Sequence, residues 1–515
     1  MEAESYDYVI IGSGFGGSVS AMRLSEKGYK VLVIEKGKRY KPEDFPRTNW
    51  NLKKYLWFPA LKWFGFLKLT FFKRLFVLSG VGVGGGSLVY ANTLMEPLDP
   101  FYDNIPVKGI DWKIILKPYF AKAKHMLGVI RAKNNYEDDL LFKEVANDLG
   151  KSDSFKAVDI GVYYSDDPNP TDPYFGGKGP LRSPCVECAG CMVGCRYNAK
   201  NTLDKNYLWF AEKNGATILP ETEVLKIEFV HSSYKIEAQG SRDRLRRSVF
   251  QAHGLVISGG VLGTLDLLFK QKYKYKSLPG LSEKLGHQVL SNSESVSGII
   301  GTDKKLNNGV AISSVIQADE NTKVELCKFP DGSGSLFRFA FIAAPGKNKW
   351  KRIGVVIMNT ITHPINTLKW IVFGQNAKYA VVVLVMQTLK NALTMKWSGK
   401  KMTLQNGDHD EPIPVFIPSG HQVMMKLANK ANGVAVNAVT ESFLHMATTA
   451  HILGGCPMGE TIEKGVVNDR FEVHGYPNLY ILDGSIIPAN IGVNPSLTIT
   501  ALAEYAMDQF KTKQG

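Results

Sequence analysis

No stretch of this 515-residue chain reaches the ~18 uninterrupted apolar residues that a membrane-spanning helix needs. The nearest run, residues 379–386, is short and rich in valine, and reads as a buried strand. The opening residues, MEAESYDYVI, are acidic and lead straight into a strand. No secretory leader is therefore expected, and the cytoplasm is the default compartment. Acidic side chains are missing altogether between Asp44 and Glu96. Arg47, Lys53, Lys54, Lys62, Lys68, Lys73 and Arg74 fall in that gap, interleaved with Trp50, Tyr55, Trp57, Phe58, Trp63, Phe64, Phe66, Phe71, Phe72 and Phe76. No nucleic-acid-binding motif accompanies this patch, and no nucleic-acid partner is expected. Cysteines number only six, and four of them lie within eleven residues. Such clustering speaks for a metal or redox site, not a disulfide framework.

What is present is ordinary globular composition, 44% hydrophobic and 21% charged with a net charge of +14, over a length that suggests two or more domains. The organising stretch is residues 8–37, YVIIGSGFGGSVSAMRLSEKGYKVLVIEKG. An apolar strand runs into Gly12, Gly14 and Gly17, a helix follows, and a second apolar strand ends at Glu35. Gly12 permits the tight turn, Gly14 lets backbone amides approach a pyrophosphate, and Gly17 allows close helix–strand packing. The helix N-terminus suits a diphosphate, and Glu35 can accept from a ribose diol. This βαβ signature points to a dinucleotide without deciding between NAD and FAD.

Further along, GVGVGGGS is a second glycine-rich loop and residues 88–90 look strand-like. Residues 112–130 and 137–149 have helical spacing. A Pro-, Gly- and Asp-rich stretch, 153–184, precedes the cysteines. Strands at 216–219, 223–229 and 253–258 follow, the last running into Gly259, Gly260 and Gly263 before a helix. From 296 to 449 alternating β-branched runs (310–315, 336–343, 353–358, 380–386, 402–405) suggest a mostly antiparallel sheet, a substrate domain inserted into the dinucleotide fold. The chain closes with a strand at 478–482 and a helix at 495–510.

Two C-terminal segments suit a catalytic centre. His451 opens the glycine turn HILGGCPMG, and histidine is the side chain best poised as a general base near neutral pH. Asn494 precedes Pro495 at a helix start. It either caps that helix or faces a redox ring together with the helix N-terminus.

Together IGSGFGGSVSAMRL, GVGGGSLV, NTLDKNYL, VISGGVLGT, HILGGCPMG and LYILDGSIIPANIGVNPSLTITALAE resemble the glucose–methanol–choline (GMC) flavin oxidoreductases, nearest their cholesterol oxidase branch. The resemblance covers nearly the whole chain. It implies an α/β fold, an FAD-binding Rossmann-type domain with an inserted mostly antiparallel-sheet substrate domain. FAD would be held by Gly12, Gly14, Gly17 and Glu35, with Gly82, Gly84, Gly85, Gly86, Ser87 and Asn92 near the flavin. Val224 would lie by the adenine, Gly259 at the second glycine junction, and Asp483 and Gly484 near the pyrophosphate or ribityl chain. His451 would orient the substrate hydroxyl and accept its proton, Asn494 would position substrate or flavin, and hydride would pass to the flavin. After GGGSLV the cholesterol oxidase pattern has an asparagine, where this chain has Tyr90, Ala91 and then Asn92. The substrate-side glutamate that isomerises the double bond in that branch is not placed by the sequence.

Cys185, Cys188, Cys191 and Cys195 form C-x2-C-x2-C-x3-C, the ferredoxin run with Arg196 in place of proline. Zinc, and unligated thiols or a disulfide, are the alternatives, but zinc ribbons separate their CxxC pairs by ~15–20 residues. A 4Fe–4S or 3Fe–4S cluster beside the flavin would carry electrons to an external protein or quinone-like acceptor, making the chain a dehydrogenase of a bulky apolar secondary alcohol. A peroxide-forming oxidase, a dehydrogenase for a sugar or other alcohol, and a flavin and iron–sulfur electron carrier are the alternatives. Expected domains are 1–115, 200–295 and 450–515 for FAD, 116–184 and 296–449 for substrate, and 185–199 for the cluster loop. The basic aromatic stretch 47–76 is read as a lid over the active site or a peripheral contact with anionic membrane. Cys327 and Cys456 read as plain buried thiols, and His363, His421 and His445 as structural or surface residues.

Overall fold

The computed structural model describes residues 4–514 apart from 108, 347, 363, 366, 369–375 and 408–411, so His363 lies outside the described residues. Its first sheet grows from the apolar run at the amino terminus. Strand Glu4–Ile11 pairs in parallel with Val31–Ile34 on one side and Arg247–Ile257 on the other. Thr217–Leu219 and Leu479–Ile481 add parallel strands, each beside a different neighbour. Helices cover this sheet, which is why its central strands are apolar on both faces. Antiparallel Ser233–Gly240 and Thr222–Val230 complete seven strands. Between the first two strands runs the helix Phe15–Glu26, packed on the C-terminal helix Ser496–Asp508. The turn at its start demands glycine: Gly12 has φ +99°, and a Cβ there would stand 2.2 Å from the Ser258 carbonyl oxygen.

The second sheet is also seven-stranded, in the order Ala340–Ile342, Val434–Ala438, Ser295–Ile300, Ala380–Gln387, Thr322–Cys327, Ser314–Asp319, Lys156–Ala157. Every pairing within it is antiparallel. One face carries the helices Glu137–Asp148 and Pro418–Lys430. Where expectation and structure part, burial gives the reason. Residues 353–358 form part of the helix Lys349–Thr362 instead of a strand, with Arg352 and Val356 buried one helical turn apart. The 310–315 strand begins only at Ser314, and 336–343 is a 3-10 turn, Ser335–Phe339, leading into Ala340–Ile342. Leu88 closes the 3-10 turn Gly85–Leu88, so 88–90 is no strand. Strand Met402–Asn406 pairs with Leu393–Trp397 in a separate four-stranded sheet with Val289–Leu290 and Leu453–Gly454. The basic aromatic stretch folds as a short helix, Leu52–Tyr55, and the hairpin Leu67–Phe71 and Leu75–Gly80.

No described helix is long and apolar enough to cross a membrane.

Candidate active site

The glycine turn of the first sheet opens on a cleft. Gly12, Gly14, Glu35, Gly85, Gly86, Val224 and Gly259 line a cavity of about 550 Å³. Gly14, Gly86 and Gly259 also line a second cavity of about 300 Å³, whose far wall carries Asp483, Gly484, His451 and Asn494. The glycine loops meet backbone to backbone: a Cβ on Gly85, at φ +51°, would lie 2.7 Å from the Gly14 Cα. Nothing stands within 4 Å of a Cβ on Gly14, so the backbone there borders open space.

Glu35 is held by the amides of Ser13 (3.1 Å), Gly37 (2.9 Å) and Gly82 (3.3 Å). Gly82 and Gly84 support the site without lining either cavity. Gly84 donates its amide to Ser13 Oγ at 3.1 Å, and Ser13 Oγ donates to Glu35 at 2.9 Å. Ser87 Oγ donates to the Gly84 carbonyl at 2.7 Å. Gly17 packs against the Gly12 carbonyl, outside the cavities. Asp483 accepts from the Ser485 amide at 2.8 Å and from Thr264, which fixes its carboxylate beside the helix Val261–Phe269. Lys36, unnoticed in the sequence, and Lys68, read there only as part of the basic aromatic stretch, line both cavities. The neighbouring Lys36 charge, and then burial, push the Lys68 ammonium down to about 8. Two cations facing one cleft beside a glycine-rich turn fit the diphosphate of a dinucleotide.

At the inner end, strand Ala447–Thr449 delivers His451 and the turn before helix Ser496–Asp508 delivers Asn494. Asn494 Nδ2 lies 3.5 Å from His451 Nε2 and 3.4 Å from Glu325 Oε2. His451 Nδ1 meets the carboxylate of Glu294. Asn494 Oδ1 and Glu325 Oε1 are buried without a partner. Burial pushes the Glu325 carboxyl up to about 7, while the nearby His451 charge opposes the rise. Burial alone would lower His451, but Glu294 and then Glu325 outweigh it and raise its pKa. Glu294 and Glu325 come from the second sheet, one directly before Ser295–Ile300 and the other within Thr322–Cys327. Glu294 stands 157 positions from His451, and Glu325 stands 169 from Asn494, so neither leaves a local motif; an acid inside the alternating strand TKVELC was the only signal. Much of the remaining wall is apolar, with Met192, Ile312, Phe329, Leu336 and Leu384; Tyr55 and Leu67 close it from the basic aromatic stretch and Leu78 from the following strand. Cys327 lines this wall, and Cys456 is buried.

Cys185, Cys188, Cys191 and Cys195 line a separate cavity of about 720 Å³. Among the described residues no group of three or more His, Cys, Asp or Glu side chains is gathered to hold a metal ion. The loop forms a cavity ringed by the four thiols, none of them in a disulfide. Asn92 is not in the dinucleotide cleft. It is fully buried at φ +69°, beside Cys191. Buried cations flank the thiols. Lys200 donates only to the carbonyls of Leu88 (3.1 Å) and Cys191 (2.8 Å), and Arg182 only to the carbonyls of Asn198 and Lys200 and the Asn201 amide oxygen.

Comparison with known proteins agrees with this geometry. Residues 404–503 match the GMC oxidoreductase family model, and residues 10–40 match the NAD(P)-binding Rossmann-like domain. A cholesterol oxidase of Acinetobacter baumannii is 38% identical over 99% of this chain and 95% of its own length. One of Mycobacterium tuberculosis is 39% identical over 99% of this chain and 91% of its own. The fold is shared with pyridoxine 4-oxidase from Mesorbium loti, at a TM-score of 0.64 and 15% identity over 98% of this chain and 99% of that one. The chain therefore belongs to the GMC family of FAD-dependent oxidoreductases that act on alcohols, in its cholesterol oxidase-like branch.

Proposed function

We propose that the chain oxidises a bulky apolar secondary alcohol of 3β-hydroxysteroid type to the ketone, with molecular oxygen as terminal acceptor and hydrogen peroxide as second product. One observation carries the reading: His451 and Asn494 converge on the wall of a largely apolar cavity that shares Gly14, Gly86 and Gly259 with the dinucleotide cleft. The names of relatives matched along nearly their whole length support a sterol substrate and oxygen as acceptor. FAD, held by Glu35, Lys68, the Gly14 turn, Val224 and Asp483, supplies the hydride acceptor when bound. His451 Nε2 accepts the hydroxyl proton as the carbinol hydrogen leaves as hydride. Asn494 fixes the hydroxyl or the flavin edge by its amide. Glu325, whose raised pKa lets it exchange a proton near neutrality, is the candidate for the substrate-side glutamate. Anaerobic addition of a 3β-hydroxysteroid should bleach the flavin, and under air each ketone should be matched by one peroxide. Bleaching by a sugar or short alcohol but not the steroid would refute the substrate class. A flavin unreduced by any alcohol would make the chain an electron carrier.

A second reading concerns the electron exit. The thiol cavity, lined by Lys200 and with Arg182 near Cys195, supports an anionic four-thiolate iron–sulfur cluster. Such a cluster would supply one-electron transfer to an external acceptor. Anaerobic visible and EPR spectra decide it: a cluster signal lost in Cys188→Ser, with slowed acceptor reduction and unchanged flavin reduction, is expected. Iron-free protein with full peroxide yield would leave oxygen as acceptor. We further propose that residues 47–76 contact anionic membrane, since Trp50, Phe58, Leu61 and Phe71 are exposed among exposed Lys53, Lys54, Lys73 and Arg74.

A further inference from the structure

We propose that the turn 291–294, outside every motif that identifies the family, is the positioning element of the active site. It gathers the two separate segments that carry His451 and Asn494. The inference rests on the reading of His451 as the base that faces the substrate hydroxyl.

All four residues of the turn are buried. Asn292 and Ser293 are consecutive non-glycine residues in the left-handed region, at φ +55° and +45°. Surroundings must hold such a backbone in place, and strain of this kind collects where geometry matters for function. The side chains show what is held. Asn292 Oδ1 accepts from the amides of Ile491 (3.1 Å) and Gly492 (3.0 Å), and its Nδ2 donates to the Val493 carbonyl at 3.0 Å. One amide thus fixes the three residues before Asn494. Ser293 Oγ accepts from Asn490 Nδ2 at 3.4 Å and donates to Asn391 Oδ1 at 3.0 Å. Glu294 Oε2 accepts from the Ala450 amide at 2.8 Å, and Oε1 meets His451 Nδ1. Glu294 then enters strand Ser295–Ile300 in the middle of the second sheet. The substrate sheet therefore anchors the spacing between His451 and Asn494.

Glu294 also sets the imidazole's proton. A carboxylate at Nδ1 takes a hydrogen bond from Nδ1–H, which leaves Nε2 bare as acceptor. Asn494 Nδ2, a donor, stands opposite Nε2, so both partners favour the same tautomer. The charged groups facing the ring are Glu294 and Glu325. Each stabilises imidazolium, so losing the Glu294 charge lowers the pH at which the ring becomes a free base.

The test uses FAD-loaded enzyme, anaerobic bleaching by a 3β-hydroxysteroid across pH, and 15N-histidine NMR for the ring tautomer. In Glu294→Gln the acid limb of the bleaching rate should move down by about one pH unit, with the plateau about tenfold slower or more. Glu294→Asp should restore the limb. Asn292→Ala should slow bleaching without moving the limb. A Glu294→Gln enzyme with the wild-type pH profile, alongside an inactive His451→Ala, would overturn the proposal. An active His451→Ala would instead overturn the reading of His451 itself. NMR on the unmutated protein needs no folded variant: a neutral ring protonated at Nε2 and bare at Nδ1 would also overturn it.

Discussion

Asn494 Nδ2 faces His451 Nε2 across 3.5 Å at the inner wall of the apolar cavity. Its own carbonyl oxygen has no protein partner, so Asn494 spends its donor within the site and keeps its acceptor unused. Among protein groups, a buried acceptor left open in this way has nothing to satisfy it, and a substrate hydroxyl can do so. Asn494→Leu removes both atoms while keeping similar bulk. Flavin bleaching by the steroid should slow by about 10²-fold, with FAD content unchanged. A rate within twofold of wild type in anaerobic stopped flow would remove Asn494 from the chemistry.

Glu325 gives a prediction in stability. Burial raises its carboxyl from an ordinary 4.5 to about 7. Between those values the folded chain holds a proton that the unfolded chain has released, so this group's contribution falls as pH rises through the window. Glu325→Gln cannot ionise. Its melting temperature relative to wild type should climb from pH 4.5 to 7 and level off above. A difference that stays flat with pH would mean that Glu325 does not titrate in this range.

These groups also mark how far the sequence could be read. The nucleotide sheet was legible because its strands are continuous apolar runs and its turns need glycine at fixed offsets, as at Gly12. His451 and Asn494 were legible through glycine and proline turns that aim them. Glu294 and Glu325 were not, since each becomes part of the site only through the pairing of a distant sheet. The helix Lys349–Thr362 misled for a local reason: a stretch rich in Ile and Val reads as a strand, yet its buried residues recur every fourth position. Asn92 was tied to the flavin through the resemblance, two positions past the asparagine of that pattern, and at φ +69° it lies buried beside Cys191.

Lys68 tests the cofactor cleft. Its ammonium faces Lys36, whose charge is the main reason its pKa falls to about 8. A bound diphosphate would relieve that repulsion. Lys68→Ala should weaken FAD binding to the apoprotein about tenfold, roughly 1.4 kcal/mol, with less dependence on salt than wild type. Fluorescence titration of apoprotein with FAD measures both, and an unchanged affinity would place Lys68 outside the diphosphate site.

The hairpin and short helix of residues 47–76 form both cavity wall and surface. Tyr55 and Leu67 line the substrate cavity, while Phe58, Leu61 and Phe71 point outward and are each more than half exposed. A segment with one face on the cavity and an apolar, cationic face on solvent suits an enzyme whose substrate dissolves in lipid. Each cation near an anionic surface contributes about 1 kcal/mol to membrane binding. Charge reversal at Lys53, Lys54, Lys73 and Arg74 should therefore weaken partitioning onto phosphatidylserine-containing vesicles by at least about a thousandfold. Neutral vesicles should bind both proteins poorly. Turnover of steroid presented in detergent should be unchanged, because none of the four lines the cavity. Turnover of steroid presented in anionic vesicles should fall with the binding. Equal co-sedimentation of the two proteins would reduce the segment to a lid.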